Sequence, residues 1–152
     1  MNNTTGKYDL EDRLIDYAVR IIKVSEQLPE SKAGKHIAGQ VLRSGTAPAP
    51  NYGEAQSAES SKDFIHKIKI ALKELRESKI WLKIIVRAKL IQESLLESLI
   101  EESDELTAIL FKSVDTAKKN MDTIFEYWIF RVGYWILKKV GERKKMRFKY
   151  KK

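Results

Sequence analysis

The sequence predicts an all-α fold, an up-down four-helix bundle, and three observations carry that expectation. Glycine and proline are scarce, with 7 and 3 in 152 residues, too few for the many turns of an all-β fold. Apolar residues recur at spacings of three and four over long stretches. The connections between those stretches are short, which favours antiparallel neighbours.

The first stretch runs from about Asp9 to Leu28. Asp9 suits an N-cap, and Glu11 and Asp12 suit the positive end of a helix dipole. Leu10, Leu14, Tyr17, Ala18, Ile21 and Val24 form its apolar stripe, and Pro29 ends it. The second begins near Ser31, with Ile37, Val41 and Leu42 as its apolar set. It then meets Ser44 to Asn51, where Pro48 and Pro50 remove two backbone donors. The second helix is therefore expected to be kinked near Pro48–Pro50 and to resume near Asn51, reaching about Ser60. The third stretch, about Lys62 to Ala88, places Phe64, Ile68, Ala71, Leu75, Ser78, Leu82 and Ile85 on one face. The fourth runs from about Ser94 to at least Asn120, through Leu96, Ile100, Leu106, Ile109, Leu110, Val114, Ala117 and Met121. Its period continues through Ile124, Phe125, Trp128, Ile129, Val132, Trp135 and Ile136, with Gly133 as a weak point.

Composition narrows the function classes. The chain is 43% hydrophobic and 33% charged, ordinary for a single globular domain. It has no cysteine, which excludes disulfides, thiolate metal sites and cysteine nucleophiles. A polar start from Met1 to Lys7, with acids directly after it, is unlike a signal peptide, so a cytoplasmic protein is expected. The net charge of +8 is uneven. Residues 131–152 carry ten basic residues against one acid, Glu142, whereas the rest of the chain is almost balanced. The expected organisation is a bundle over residues 1–122 and an aromatic, then basic, C-terminal extension over 123–152.

One stretch is more specific than a generic bundle. It reads Gly39-Gln40-Val41-Leu42-Arg43-Ser44-Gly45-Thr46-Ala47, then Asn51-Tyr52-Gly53-Glu54-Ala55, then Glu59-Ser60-Ser61-Lys62-Asp63-Phe64-Ile65-His66-Lys67. It closes with Ala71-Leu72-Lys73-Glu74-Leu75-Arg76-Glu77-Ser78-Lys79-Ile80-Trp81-Leu82. This closely resembles the 23S rRNA-intervening sequence protein family, itself similar to the accessory variability proteins of diversity-generating retroelements. The resemblance covers roughly residues 8 to 118. It implies a left-handed bundle assembled as a homopentamer, with a nucleic-acid-binding role and no enzymatic activity. Pro48 and Pro50 depart from the usual small residues before the Asn. The extension beyond about Asn120 lies outside the family pattern.

The residues themselves offer little catalytic chemistry. His36 and His66 fall on different helices, and Asp63 with His66 makes a single D-x-x-H pair where a di-iron bundle needs two plus further carboxylates. No metal or cofactor is expected. Glu74 and Glu77, and the cluster Glu101, Glu102, Asp104 and Glu105, read as solvated or salt-bridged bundle residues, with Lys67, Lys73 or Arg43 in reach of Glu74. Gly39, Gly45 and Gly53 are singletons and make no phosphate loop.

Charge offers more. Lys62, Lys69, Lys73, Arg76, Lys83 and Arg87 share the face of the third helix opposite its apolar stripe, and such a row can track a phosphate backbone. Five copies would multiply weak contacts. A solvated face is the plainer alternative. Ile70, Trp81 and Ile84 form a second, partial apolar flank that suits an oligomer contact or a protein partner. In the extension, Lys138, Lys139, Arg143, Lys144, Lys145, Arg147 and Lys149 interleave with Phe148 and Tyr150, as in nucleic-acid-binding arms. Two other readings stand beside that one: an extension of the fourth helix, and a peripheral membrane segment anchored by Trp128, Tyr134 and Trp135. A bilayer span is not expected of Ile124 to Val140, given its length and the interruptions at Glu126 and Arg131.

Overall fold

The computed structural model describes the backbone of residues 10–149 and the side chains of residues 10–132. Five helices follow in order: α1 Leu10–Glu26, α2 Lys32–Thr46, α3 Pro48–Gln56, α4 Ser61–Arg87 and α5 Glu93–Lys149. No strand occurs among the described residues. The chain divides into two compact units, Met1–Asp115 and Thr116–Lys152.

The first unit is a four-helix bundle in which α2 and α3 together stand for one of the four rods. α1 packs on α2 and α3, and both of these pack on α4. The opening part of α5 meets α1 through Arg13 and Arg20 and meets α4 through Lys79 and Ser103. Leu14, Tyr17 and Ile21 from α1, Val41 from α2, Ile68, Leu75, Leu82 and Ile85 from α4, and Leu96, Leu99, Leu106 and Leu110 from α5 are fully buried. Each such side chain removed from water contributes roughly 1.5–3 kcal/mol.

Local chemistry explains the helix ends. Ser31 caps α2 by accepting from the Gly34 N–H at 3.1 Å. Gly34 is there for space: a Cβ would sit 1.9 Å from the Pro29 carbonyl oxygen. Ser60 caps α4 in the same way, accepting from the Asp63 N–H. At the other end of α4 the Leu90 N–H donates to the Ile85 carbonyl and the Lys89 N–H to the Val86 carbonyl. That is a Schellman closure, with Lys89 at φ 56° in the left-handed position that glycine normally fills.

The junction of α2 and α3 differs from the sequence expectation. Helix was expected to be kinked near Pro48–Pro50 and to resume near Asn51; it is interrupted at Ala47 alone, which keeps right-handed helical angles, and resumes already at Pro48. Pro48 opens α3 at a position whose N–H has no intrahelical partner in any helix, so the missing donor costs little there. The Asn51 side-chain amide and backbone N–H both donate to the Ala47 carbonyl. Ser44 and Thr46 return their hydroxyls to the Gln40 and Leu42 carbonyls. Gly45 is buried, and a Cβ there would lie 2.6 Å from Ile21 carbons, so α1 and α2 touch closely at this point. The most distinctive motif residues, Ser44, Gly45, Asn51 and Ala55, are therefore spent on the fold.

Some core assignments shift. On α4, Ile65 and Leu72 are buried and Phe64 is half-buried; on α5, Leu99 and Ser103 are buried while Ile100 is half-buried and Ile109 exposed. Leu42 on α2 is exposed and Ile37 half-buried. Asp9, the expected cap of α1, lies outside the described residues.

Polar groups inside this unit are satisfied. The Tyr17 and Ser78 hydroxyls share a 2.8 Å hydrogen bond, and the Ser78 and Ser103 hydroxyls donate to the Leu75 carbonyl. Burial pushes the Tyr17 hydroxyl above its ordinary pKa, against the opposing pull of Ser78 and Ser103.

The second unit carries the remainder of α5. Its described side chains differ in kind from those of the bundle: Ile124, Phe125, Tyr127, Trp128, Ile129 and Phe130 are all at least half exposed. Arg131 lies 5.8 Å over the Tyr127 ring. No helix among the described residues is long and apolar enough to cross a membrane.

Candidate nucleic-acid interface

The bundle's charges fall into two groups. The first is compensated across helices. Arg13 of α1 donates to both Glu102 carboxylate oxygens at 2.9 Å and to Glu105 at 2.7 Å. These hydrogen bonds raise the Arg13 pKa above its ordinary value. Arg43 pairs with Glu77 at 3.0 Å, Lys67 with Glu54, and Lys79 with Asp104. The hydrogen bond from Glu54 also raises the Lys67 pKa. Most of the carboxylates that a catalytic reading would need are thus engaged by cations. Glu74 lies 3.9 Å from Lys73, and Arg43 chooses Glu77 rather than Glu74.

The second group is the outer face of α4. Lys62, Lys69, Lys73, Arg76, Lys83 and Arg87 are all exposed. Apart from the long Lys73–Glu74 contact, none of them forms an ion pair among the described residues. Lys62, Lys69, Arg76 and Lys83 repeat every seven residues, which returns each to nearly the same direction on the helix. The row spans about 37 Å at the α-helical rise. His66 and Ile80, both exposed, complete the face.

The row is not uniform. At its C-terminal end Lys83, Arg87 and Lys89 form one wall of a groove of about 500 Å³, and Glu93, Glu97 and Glu101 of α5 form the other, with Val86 and Ile100 between. A polyanion approaching there meets three carboxylates. For the cations of the row from Lys62 to Arg76 the one ion-pair contact among the described residues is that of Lys73 with Glu74 at 3.9 Å, so these cations are the less opposed. A second groove, of about 430 Å³, is lined by Arg13, Asp16, Tyr17, Val19, Arg20, Lys23 and Glu102. Two of its cations are already committed, Arg13 to Glu102 and Arg20 to the Ser98 hydroxyl.

The other sequence-derived residues are scattered. Ile70 and Trp81 are half-buried, and Trp81 makes an edge-to-face contact with His36 of α2, centroids 6.0 Å apart. That flank is thus partly covered within the chain; Ile84 is exposed. Sequence reasoning passed over a second apolar row on α1, Ile15, Val19 and Ile22, each at least 40% exposed. Its spacing of four and three is a legible signal, but it runs beside the stronger core stripe. Among the described residues no three histidine, aspartate or glutamate side chains converge as metal ligands do. The side chains of Lys138, Lys139, Arg143, Lys144, Lys145, Arg147 and Lys149 lie outside the described residues.

A helical bundle with several cations paired across helices and a row of exposed, largely unpaired cations along α4 defines a class of bundle protein whose distinguishing surface is electrostatic. Comparison with known proteins gives the family. The model of the 23S rRNA-intervening sequence protein family matches residues 7–112, and the chain belongs to that family. It is similar to a solved protein of unknown function from the S23 ribosomal protein family of Bacteroides thetaiotaomicron, at 34% identity and a TM-score of 0.66. That match covers 70% of this chain and 98% of the other. No curated protein matches. The family match stops at residue 112, and the second compact unit begins at Thr116.

Proposed function

We propose that this chain is a non-catalytic, cytoplasmic nucleic-acid-binding protein, built as a left-handed up-down bundle and acting as a homopentamer accessory to an inserted or mobile genetic element. The observation that carries the reading is the contrast on the bundle surface. Arg13, Arg43, Lys67 and Lys79 are each matched by a carboxylate, whereas Lys62, Lys69 and Arg76 are exposed along one helix face without one. A row of this kind engages phosphates and not base edges, so affinity falls with salt and varies little with sequence. The main contact is Lys62–Arg76, with Lys83 and Arg87 weakened by the carboxylates beside them.

Repetition of the row in an oligomer converts weak contacts into useful avidity. The exposed Ile15, Val19 and Ile22 row and the flank of Ile70, Trp81 and Ile84 are the surfaces available for assembly. Fluorescence anisotropy with labelled RNA, duplex DNA and single strands at low salt tests the reading, alongside native mass. Binding to at least one of them, in a species of about five copies, is expected. No binding to any of them contradicts it.

A further inference from the structure

We propose that the helix of the second unit is a membrane-surface anchor that seats on anionic lipid. Between Ile124 and Phe130, six of seven residues are large and apolar or aromatic, and all six are at least half exposed, Phe130 at 73%. At 100° per residue these six side chains are distributed around the whole helix circumference. A helix that docks on a protein shows one apolar stripe and a polar back. One that is apolar all round needs an environment that surrounds it, and acyl chains do so without a matched partner surface.

Composition and charge point the same way. Tyr127 and Trp128 are of the amphipathic aromatic kind that settles at the boundary of headgroups and acyl chains, and Phe125 and Phe130 add apolar surface beside them. The sequence that follows, residues 131–152, carries ten cations against Glu142 alone, which complements a negatively charged leaflet. The Arg131 guanidinium lies over the Tyr127 ring, 5.8 Å from its centroid, and points to the Tyr127 hydroxyl, which sets a cation directly beside the aromatic run. Among the described residues no helix is long and apolar enough to cross the bilayer. The apolar run Ile124–Phe130 is only about 10 Å of helix, short enough to be enclosed by acyl chains just below the headgroups while the flanking charges stay among them. The anchor lies outside the residues matched by the family and is separate from the α4 row. One unit holds the lipid and the other the polyanion.

The test uses nuclease-treated full-length protein sedimented with vesicles of phosphatidylcholine alone or phosphatidylcholine with phosphatidylglycerol, 7:3. Pelleting with the anionic vesicles, with a blue shift of tryptophan emission, is expected. Trp128→Glu with Phe130→Glu should lower the vesicle partition coefficient by at least about tenfold. These side chains are exposed, and an unchanged circular dichroism spectrum is the control that the bundle is intact. Lys144→Gln, Lys145→Gln and Arg147→Gln together should weaken the preference for anionic lipid. Lys62→Gln, Lys69→Gln and Arg76→Gln together should leave vesicle binding unchanged while weakening nucleic-acid binding, which separates the two readings. The proposal is overturned by failure to pellet with either vesicle. It is equally overturned if the C-terminal substitutions reduce nucleic-acid affinity and leave vesicle binding intact, or if Trp128→Glu only dissociates an oligomer that never binds lipid.

Discussion

The two units of this chain treat their surfaces in opposite ways. In Met1–Asp115, apolar side chains are mostly enclosed and many cations meet a carboxylate on a neighbouring helix, as Arg13 meets Glu102 and Lys79 meets Asp104. In Thr116–Lys152, the described apolar side chains from Ile124 to Phe130 stand in solvent, and the sequence beyond them carries ten basic residues against one acid. The first unit obtains its stability internally. In the second, the described apolar side chains from Ile124 to Phe130 are at least half exposed, and that exposed surface is what the proposed lipid contact would cover. The lesson is that uncompensated surface is the informative kind: the α4 face within the bundle and the aromatic helix beyond it are the two places where the molecule leaves its chemistry unfinished.

The largest expected effect follows from that contrast. Leu75 is fully buried at the point where α4 meets the serine hydroxyls, so Leu75→Ala should cost about 2–5 kcal/mol in denaturant unfolding. Trp128→Ala, a larger truncation on an exposed side chain, should change stability by less than about 0.5 kcal/mol. A comparable loss for the two would erase the distinction between the units.

Gly34→Ala comes next. Its new methyl would meet the Pro29 carbonyl oxygen at 1.9 Å, so backbone must move, at a cost of about 1–3 kcal/mol in thermal or chemical melts. At Gly39 and Gly53 an added Cβ would meet nothing within 4 Å, and alanine there should not destabilise the bundle.

Tyr17→Phe should cost about 1 kcal/mol, since Ser78 keeps its bond to the Leu75 carbonyl. The same variant tests a pH dependence. The folded Tyr17 pKa lies above its unfolded value of about 10. Its contribution is therefore fully present below that value and is lost as pH rises through the folded pKa. Wild-type stability should fall in the alkaline range more steeply than that of Tyr17→Phe, as measured by urea midpoints from about pH 8 to 11.

The smallest effect is at Lys89. Its left-handed φ of 56° is strained for a side chain, so Lys89→Gly should stabilise the bundle by up to about 1 kcal/mol in the same melts.

Much of the bundle was legible because burial and periodicity are the same fact seen twice. Leu14, Tyr17, Ile21 and Val24, and Ile68, Ala71, Leu75, Ser78, Leu82 and Ile85, read as stripes and are buried. At the α2–α3 junction helix resumes earlier than the prolines suggested, because a proline breaks a helix only where its N–H is needed, and Pro48 sits where it is not. The basic face was legible as a row, but its balance was not. Lys67 with Glu54 and Lys79 with Asp104 join residues 13 and 25 positions apart. The carboxylates opposite Lys83 and Arg87 come from α5. Pattern along one helix carries no information about charges on the next. The exposure of Ile124–Phe130 was hidden for a related reason: an apolar run reads the same whether it is enclosed or bare.

The most direct test of the account compares salt dependence of nucleic-acid binding for the wild-type chain and for Lys62→Gln, Lys69→Gln, Arg76→Gln together. If these cations neutralise phosphates, the slope of log affinity against log salt becomes shallower by about 2–3 on duplex DNA. Lys83→Gln with Arg87→Gln should change it by less, given the neighbouring carboxylates. A triple variant with the wild-type slope and affinity would contradict the central claim.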